Sequence, residues 1–187
     1  MSLLTVAKLG NPVLRQIAQP ISLELLNSSN GEIQLLIDNM IDTMREEGGV
    51  GLAAPQVFQS VQLVVMECSA NERYSEAAEI PLTILINPVI KHYGKKKVLG
   101  WEGCLSLKDL RGLVSRSEKI TIEYFDRDGK PVTANAEGFP AVVLQHEIDH
   151  LHGKVFLDRM TDLSQLTYIE EFEEYVAKKT NIGPELA

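Results

Sequence analysis

The sequence predicts an α+β fold: small mixed or antiparallel sheets packed around one central helix that carries paired histidines, with further helices near the amino and carboxy ends. Three observations lead there. Strand-like runs mostly precede the histidine helix rather than alternating with helices. The helix expected at 141–152 is apolar on most of its circumference until the histidines. Helical periodicity reappears on either side of it.

Taken in order, residues 1–31 read as an irregular arm punctuated by Gly10-Asn11-Pro12 and Gln19-Pro20. From 32 to 47, Ile33, Leu36, Ile37, Met40, Ile41 and Met44 recur at helical spacing, and Gly48-Gly49 stops the run. Apolar strands are expected at 61–67 and 82–90, with a polar loop at 69–79 between them. Residues 119–125 alternate, Ile120, Ile122 and Tyr124 against Thr121 and Glu123. Asp126-Arg127-Asp128-Gly129 then turns the chain into a partner strand at 131–136. Gly138-Phe139-Pro140 opens the central helix, Val142, Val143, Leu144, Ile148 and Leu151 bury it, and Gly153 closes it. A last helix at 162–179 carries Leu163, Leu166, Ile169, Phe172 and Val176 on one stripe, with an acidic outer face.

With 187 residues the chain suits a single domain, 1–187, large enough to bury its own core. Its 26 acidic side chains outnumber 18 basic ones, so it lacks the positive footprint that stable nucleic-acid binding needs. The triplet Lys95, Lys96 and Lys97 reads as a solvated loop. Only Cys68 and Cys104 carry thiols, which makes no disulfide framework and fits a reducing cytosol. Lys8, Gly10 and Pro12 interrupt any apolar leader, and no run approaches the ~18 apolar residues of a spanning helix. The expectation is a soluble cytoplasmic protein without membrane partners.

The chemistry is concentrated in His146-Glu147-Ile148-Asp149-His150. Histidines four apart lie on one helix face roughly 5–6 Å apart at Cβ. That spacing lets both imidazoles reach one divalent cation, while Glu147 sits beside them as a general base for water. A catalytic site of this type takes a third protein ligand and keeps one position open. His152 points to another side of the helix, and the glutamates at 170–174 are weak candidates. Cys104, in the turn-forming Trp101-Glu102-Gly103-Cys104-Leu105-Ser106, is a different answer. A glycine-rich loop, Gly49-Val50-Gly51-Leu52-Ala53-Ala54-Pro55-Gln56, lacks the lysine of a phosphate loop. Its Gln56 offers a neutral donor for an oxygen that gains charge when water attacks a carbonyl.

These three segments together resemble the peptide deformylase family: a glycine-rich loop ending in glutamine, a Glu-Gly-Cys-Leu-Ser turn and a Gln-His-Glu-x-Asp-His helix, here at 49–56, 102–106 and 145–150. Leu9-Gly10-Asn11-Pro12-Val13-Leu14-Arg15 is similar to the family's opening segment, so the resemblance spans about residues 5–160. It implies a metal-dependent hydrolase that takes the formyl group from the N-terminal formylmethionine of nascent chains and releases formate. It implies Cys104, His146 and His150 as ligands to one divalent metal and Glu147 as the proton carrier. The Gln56 amide and the Leu105 backbone N–H would steady the oxyanion. Fe2+ is the implied physiological metal; one thiolate and two imidazoles also suit Zn2+, Ni2+ or Co2+.

The resemblance also implies a methionine pocket formed by Val50, Phe139, Val142, Val143 and the His146 ring, with Glu102 and Gly103 on its rim. Backbone groups of Val50, Gly51 and Gly103 would pair with the peptide as a strand. Other residues receive plainer roles: Cys68 a buried thiol, His92 a surface histidine, Asp149 a supporting carboxylate, Arg111 and Arg116 structural cations. Two features depart from the family pattern. Lys108 replaces a proline common after the cysteine motif, and the carboxy-terminal helix is acidic, which disfavours docking on ribosomal RNA.

Overall fold

The computed structural model describes residues 2–29, 31–68 and 79–178. After a 3-10 turn at Pro12–Arg15 come a one-turn helix α1 (Leu23–Leu26) and α2 (Glu32–Glu46), then strands β1 (Gly51–Ala53), β2 (Leu63–Cys68), β3 (Ile80–Tyr93) and β4 (Lys97–Glu102). A 3-10 turn at Leu105–Leu107 leads to β5 (Leu110–Ser117), β6 (Lys119–Phe125), β7 (Pro131–Glu137) and helix α3 (Phe139–Leu151). The chain then passes through β8 (Leu166–Tyr168) into α4 (Ile169–Glu171), which widens into π-helical turns at Phe172–Ala177. One antiparallel sheet runs β1-β2-β3-β6-β7 and another β4-β5-β8.

Strand alternation divides the core. On β2, Val64 and Met66 face α3, in a cluster with Val143, Leu144 and Ile148. Leu63 and Val65 face the opposite way, toward Ile37, Met40, Ile41 and Met44 of α2. The five-stranded sheet is therefore covered on both faces, one by each long helix. A third cluster, with Val114, Val155 and Phe156, surrounds Cys104. Helix α3 is buried from Ala141 through Leu151 because it lies between the two sheets. Gln145 bolts it to β5, accepting from the Ser117 N–H at 3.0 Å and donating to the Ser117 carbonyl at 2.8 Å. Gly153 ends it at φ 67, where a Cβ would lie 2.6 Å from the Arg15 carbonyl oxygen.

The arm is stitched rather than loose. Ser2 and Leu4 donate to Asn39 and Thr43 of α2, Ala7 N–H to the Gln56 carbonyl, Leu9 N–H to the Ser106 carbonyl, and Ala18 N–H to the Leu151 carbonyl. Asn87, at φ 51 within β3, holds Ile21 by both its amide atoms.

The elements expected at 32–47, 119–125, 131–136 and 141–152 stand within two residues of their observed ends, and the strands at 61–67 and 82–90 are found as β2 and a longer β3. The polar loop at 69–79 lies outside the described residues apart from Glu79. Two readings are corrected. Lys97 opens β4 instead of closing a loop, since its backbone pairs with Ser117. The carboxy-terminal helix starts at Ile169, not 162: Leu166 belongs to a strand paired with Gly112, and Leu163 is exposed. Phe172 alone of that stripe is fully buried, its ring 5.0 Å from that of Trp101. Among the described residues no helix is long and apolar enough to cross a membrane.

Candidate metal centre

Helix α3 presents His146 and His150 on one face, and the turn after β4 brings Cys104 to the same point. The Cys104 Sγ lies 3.4 Å from His150 Nε2, which lies 3.3 Å from His146 Nε2. One ligand atom from each of the three falls within 4.8 Å of the others, and all three residues are buried. The far nitrogen of His146, Nδ1, sits 2.9 Å from Glu102 Oε2; donation there leaves Nε2 with its lone pair turned inward. Burial pushes the Cys104 thiol up, but His150 and His146 overcome that and bring it down to about 5. With no metal bound the counter-charge is a proton: burial opposes it on His146, yet Cys104 and Glu102 raise that imidazole well above its ordinary value. One sulfur and two ring nitrogens converging in a buried site are also the donor set that fits a divalent cation. Among the described residues neither His152 nor Cys68 joins the group. His152 is exposed and bonds the Ile148 carbonyl; Cys68 is a buried thiol at the end of β2.

Behind the ligands runs a chain of buried charge. Glu102 is 0% exposed and takes both Arg116 Nε (2.7 Å) and Nη2 (2.9 Å), besides His146. Arg116 also donates to Asp149 at 2.5 Å, and Asp149 is clasped from outside by Arg159. Burial would raise Glu102, yet Arg116 and His146 hold it at about 2. Burial likewise opposes charge on Asp149, but Arg159 and Arg116 keep its carboxyl below the ordinary range. Glu102, expected on the pocket rim, has both carboxylate oxygens committed to Arg116 and His146, so its side chain fixes the His146 ring. Arg159 escaped the sequence reading. The available signal was Asp149 itself, a carboxylate inside an apolar helix that needs a cation.

In front of the ligands the groups are less saturated. Glu147 is 5% exposed, burial raises its carboxyl above the ordinary range, and its Oε2 has no hydrogen-bond partner among the described residues. The carboxylate lies against Gly51, where a Cβ would be 2.5 Å from Oε1, so only glycine leaves room for it. Gln56 is held by its carbonyl end, which accepts the Ala53 N–H at 2.8 Å. Its amide nitrogen thus faces Cys104 Sγ at 3.5 Å and Ser106 Oγ at 3.3 Å. Val50, Val142 and Val143 share one apolar cluster with Phe139 packed on it. Leu105 and Gly103 are buried beside Cys104. Arg111 is buried and donates to the Lys108 and Leu110 carbonyls, and His92 is exposed on β3.

Antiparallel sheets around a His-Glu-x-x-His helix, joined by a thiol from a preceding turn, define the class: a metal-dependent hydrolase. Comparisons with known proteins narrow it. The sequence pattern of the polypeptide deformylase family matches residues 3–166. Peptide deformylase 2 of Pseudomonas syringae pv. tomato is 45% identical over 167 residues, 88% of this chain and 91% of that protein. Peptide deformylase 2 of a Nostoc species is 43% identical over 179 residues, 95% of this chain and 97% of its own length. The Met-Ala-Ser-bound crystal structure of class I type b peptide deformylase from Acinetobacter baumannii superposes with a TM-score of 0.81 at 41% identity, covering 85% of this chain and 99% of that one. The chain belongs to the polypeptide deformylase family, metal-dependent hydrolases that remove the N-formyl group from the N-terminal formylmethionine of newly made polypeptides and release formate.

Proposed function

We propose that Cys104, His146 and His150 hold one divalent cation, Fe2+ in the cell, and that Glu147, Gln56 and Leu105 carry out the deformylation around it. Zn2+, Ni2+ or Co2+ suit the same donors. When bound, the cation supplies Lewis acidity to the carbonyl and the attacking water. Glu147 takes a proton from that water as its oxygen attacks the formyl carbon. The proton then passes to the nitrogen as the C–N bond breaks, leaving formate and a free amine. The amide N–H of Gln56 and the backbone N–H of Leu105 donate to the oxygen that gains charge.

A single observation carries this reading: a buried carboxylate with a partnerless oxygen beside three converging donor atoms, seated on a glycine. Methionine enters the apolar site of Val50, Phe139, Val142 and Val143. The peptide adds as a strand to β1, which stands at the edge of its sheet, pairing with Val50, Gly51 and Gly103. The Met-Ala-Ser tripeptide bound to the Acinetobacter relative supports this class of substrate.

The test is formate release from formyl-Met-Ala-Ser after reconstitution with each metal. Gln56→Leu should lower kcat on the order of 10²-fold with metal content unchanged. Undiminished turnover would remove Gln56 from the mechanism, and formate release with no metal would sink the whole reading. Glu170, Glu171, Glu173 and Glu174 repel RNA phosphates, so nascent chains reach the enzyme, in this reading from the cytoplasm, without docking through that segment.

A further inference from the structure

Two cavities open beside the metal centre. The smaller, about 170 Å³, runs from Cys104 and Leu105 to Glu47, Lys108 and Ile169. The larger, about 480 Å³, shares Glu47, Leu105 and Lys108 with it and continues outward between Leu9 and Tyr168. The Glu47–Lys108 ion pair lies where they meet and ties the end of α2 to the segment after the Leu105–Leu107 turn. Its lysine stands where the family pattern has a proline common to many relatives, so the strap is a feature of this chain's own sequence.

The outer walls are built onto the site itself. Ala7 N–H is fixed to the Gln56 carbonyl at 2.7 Å and Leu9 N–H to the Ser106 carbonyl at 3.0 Å. Tyr168 is held opposite Leu110 by the β5–β8 pairing. Between these anchored backbones, Leu9 (43% exposed) and Tyr168 (63% exposed) leave apolar surface in solvent. With those backbone groups already paired, what the cavity offers an extended polypeptide is apolar side-chain surface on a fixed frame. Continuity with the cavity at Cys104 identifies which polypeptide: the substrate's own downstream chain.

We propose that the larger cavity is an extended subsite that takes substrate residues beyond the third, seating one apolar side chain between Leu9 and Tyr168. This rests on the deformylase reading above. It means that the enzyme distinguishes a growing chain from a short formyl peptide by length.

The experiment compares formyl-Met-Ala-Ser with hexapeptides that extend it by Gly-Leu-Ser or Gly-Ser-Ser, in the native enzyme and in Tyr168→Ser and Leu9→Ser variants. The leucine hexapeptide should show a KM roughly fivefold below the tripeptide, the effect of partly burying one apolar side chain. Either variant should erase that gain while leaving tripeptide kinetics as they were. Equal KM values for leucine hexapeptide and tripeptide in the native enzyme, or a gain that survives both variants, would overturn the proposal. Competition by the unformylated peptides in the native protein gives a second readout independent of variant folding: Met-Ala-Ser-Gly-Leu-Ser must inhibit more strongly than Met-Ala-Ser. A tripeptide that releases no formate at all would instead defeat the underlying reading.

Discussion

The two sides of the His146–His150 pair are built on opposite principles. Behind it, the described buried charges are paired in a chain: Asp149 to Arg116 and to the exposed Arg159, Arg116 to Glu102, Glu102 to His146. In front, Glu147 Oε2 is buried with no hydrogen-bond partner among the described residues. A satisfied network resists rotation and holds an imidazole in one tautomer. An unsatisfied carboxylate keeps a lone pair for a proton that has yet to arrive. Rigidity and reactivity are thus placed on separate faces of one helix, and a residue's side predicts what its loss does.

The sharpest way to break the contrast is to neutralise the front alone. Glu147→Gln should lower kcat on the order of 10³-fold, with urea stability and metal content nearly unchanged. A comparable fall in metal content would show that Glu147 belongs with the ligands instead. The converse is Arg116→Leu, which leaves Glu102 and Asp149 buried beside each other without their shared cation. It should destabilise by about 3–5 kcal/mol in chemical denaturation; a loss under about 1 kcal/mol would mean that the rear network is not rigidly buried.

An intermediate effect lies at the contact between β1 and Glu147. Gly51→Ala forces the carboxylate aside, and a displacement near 1 Å should cost up to about 10²-fold in kcat. Native kinetics would show that the carboxylate swings freely. The smallest effect calibrates the rest. The exposed Arg45 holds the half-buried Glu67 below its ordinary 4.5 through hydrogen bonds of 2.6 and 2.9 Å. The folded value is the depressed one, so this stabilisation is complete above pH about 4.5 and is lost as pH falls through the folded value. Screening keeps it near 0.2–1 kcal/mol, measured as the difference between native protein and Arg45→Ala across that acid window. A larger difference would argue for coupling to the core.

The same division explains what the sequence revealed. Helices α2 and α3 and the β6–β7 hairpin were legible because their burial is apolar and periodic, with turn residues between. Strand β5 was not legible. Its buried positions include Arg111, Gly112 and Arg116 beside Val114, so a polar network interrupts the alternation that marks a half-buried strand. The helix expected at 162–179 failed for a related reason: Leu166 is spent on a three-residue strand, a pairing that no local period announces. Of the candidate site, His146, His150 and Glu147 could be named from motif spacing, and Cys104 from the family resemblance. The commitment of Glu102 to Arg116, and the arrival of Arg159 beneath Asp149, depend on how β4, β5 and the segment after α3 meet in space.

The stitched arm has a practical corollary. Ser2 and Leu4 lie in register with α2, and three residues further on the same strand of backbone grips the carbonyl of Gln56. Any affinity handle fused ahead of Ser2 therefore pulls on a seam that ends at the backbone of Gln56, the residue proposed above to donate to the oxyanion. The first described residues thus brace the loop that carries it.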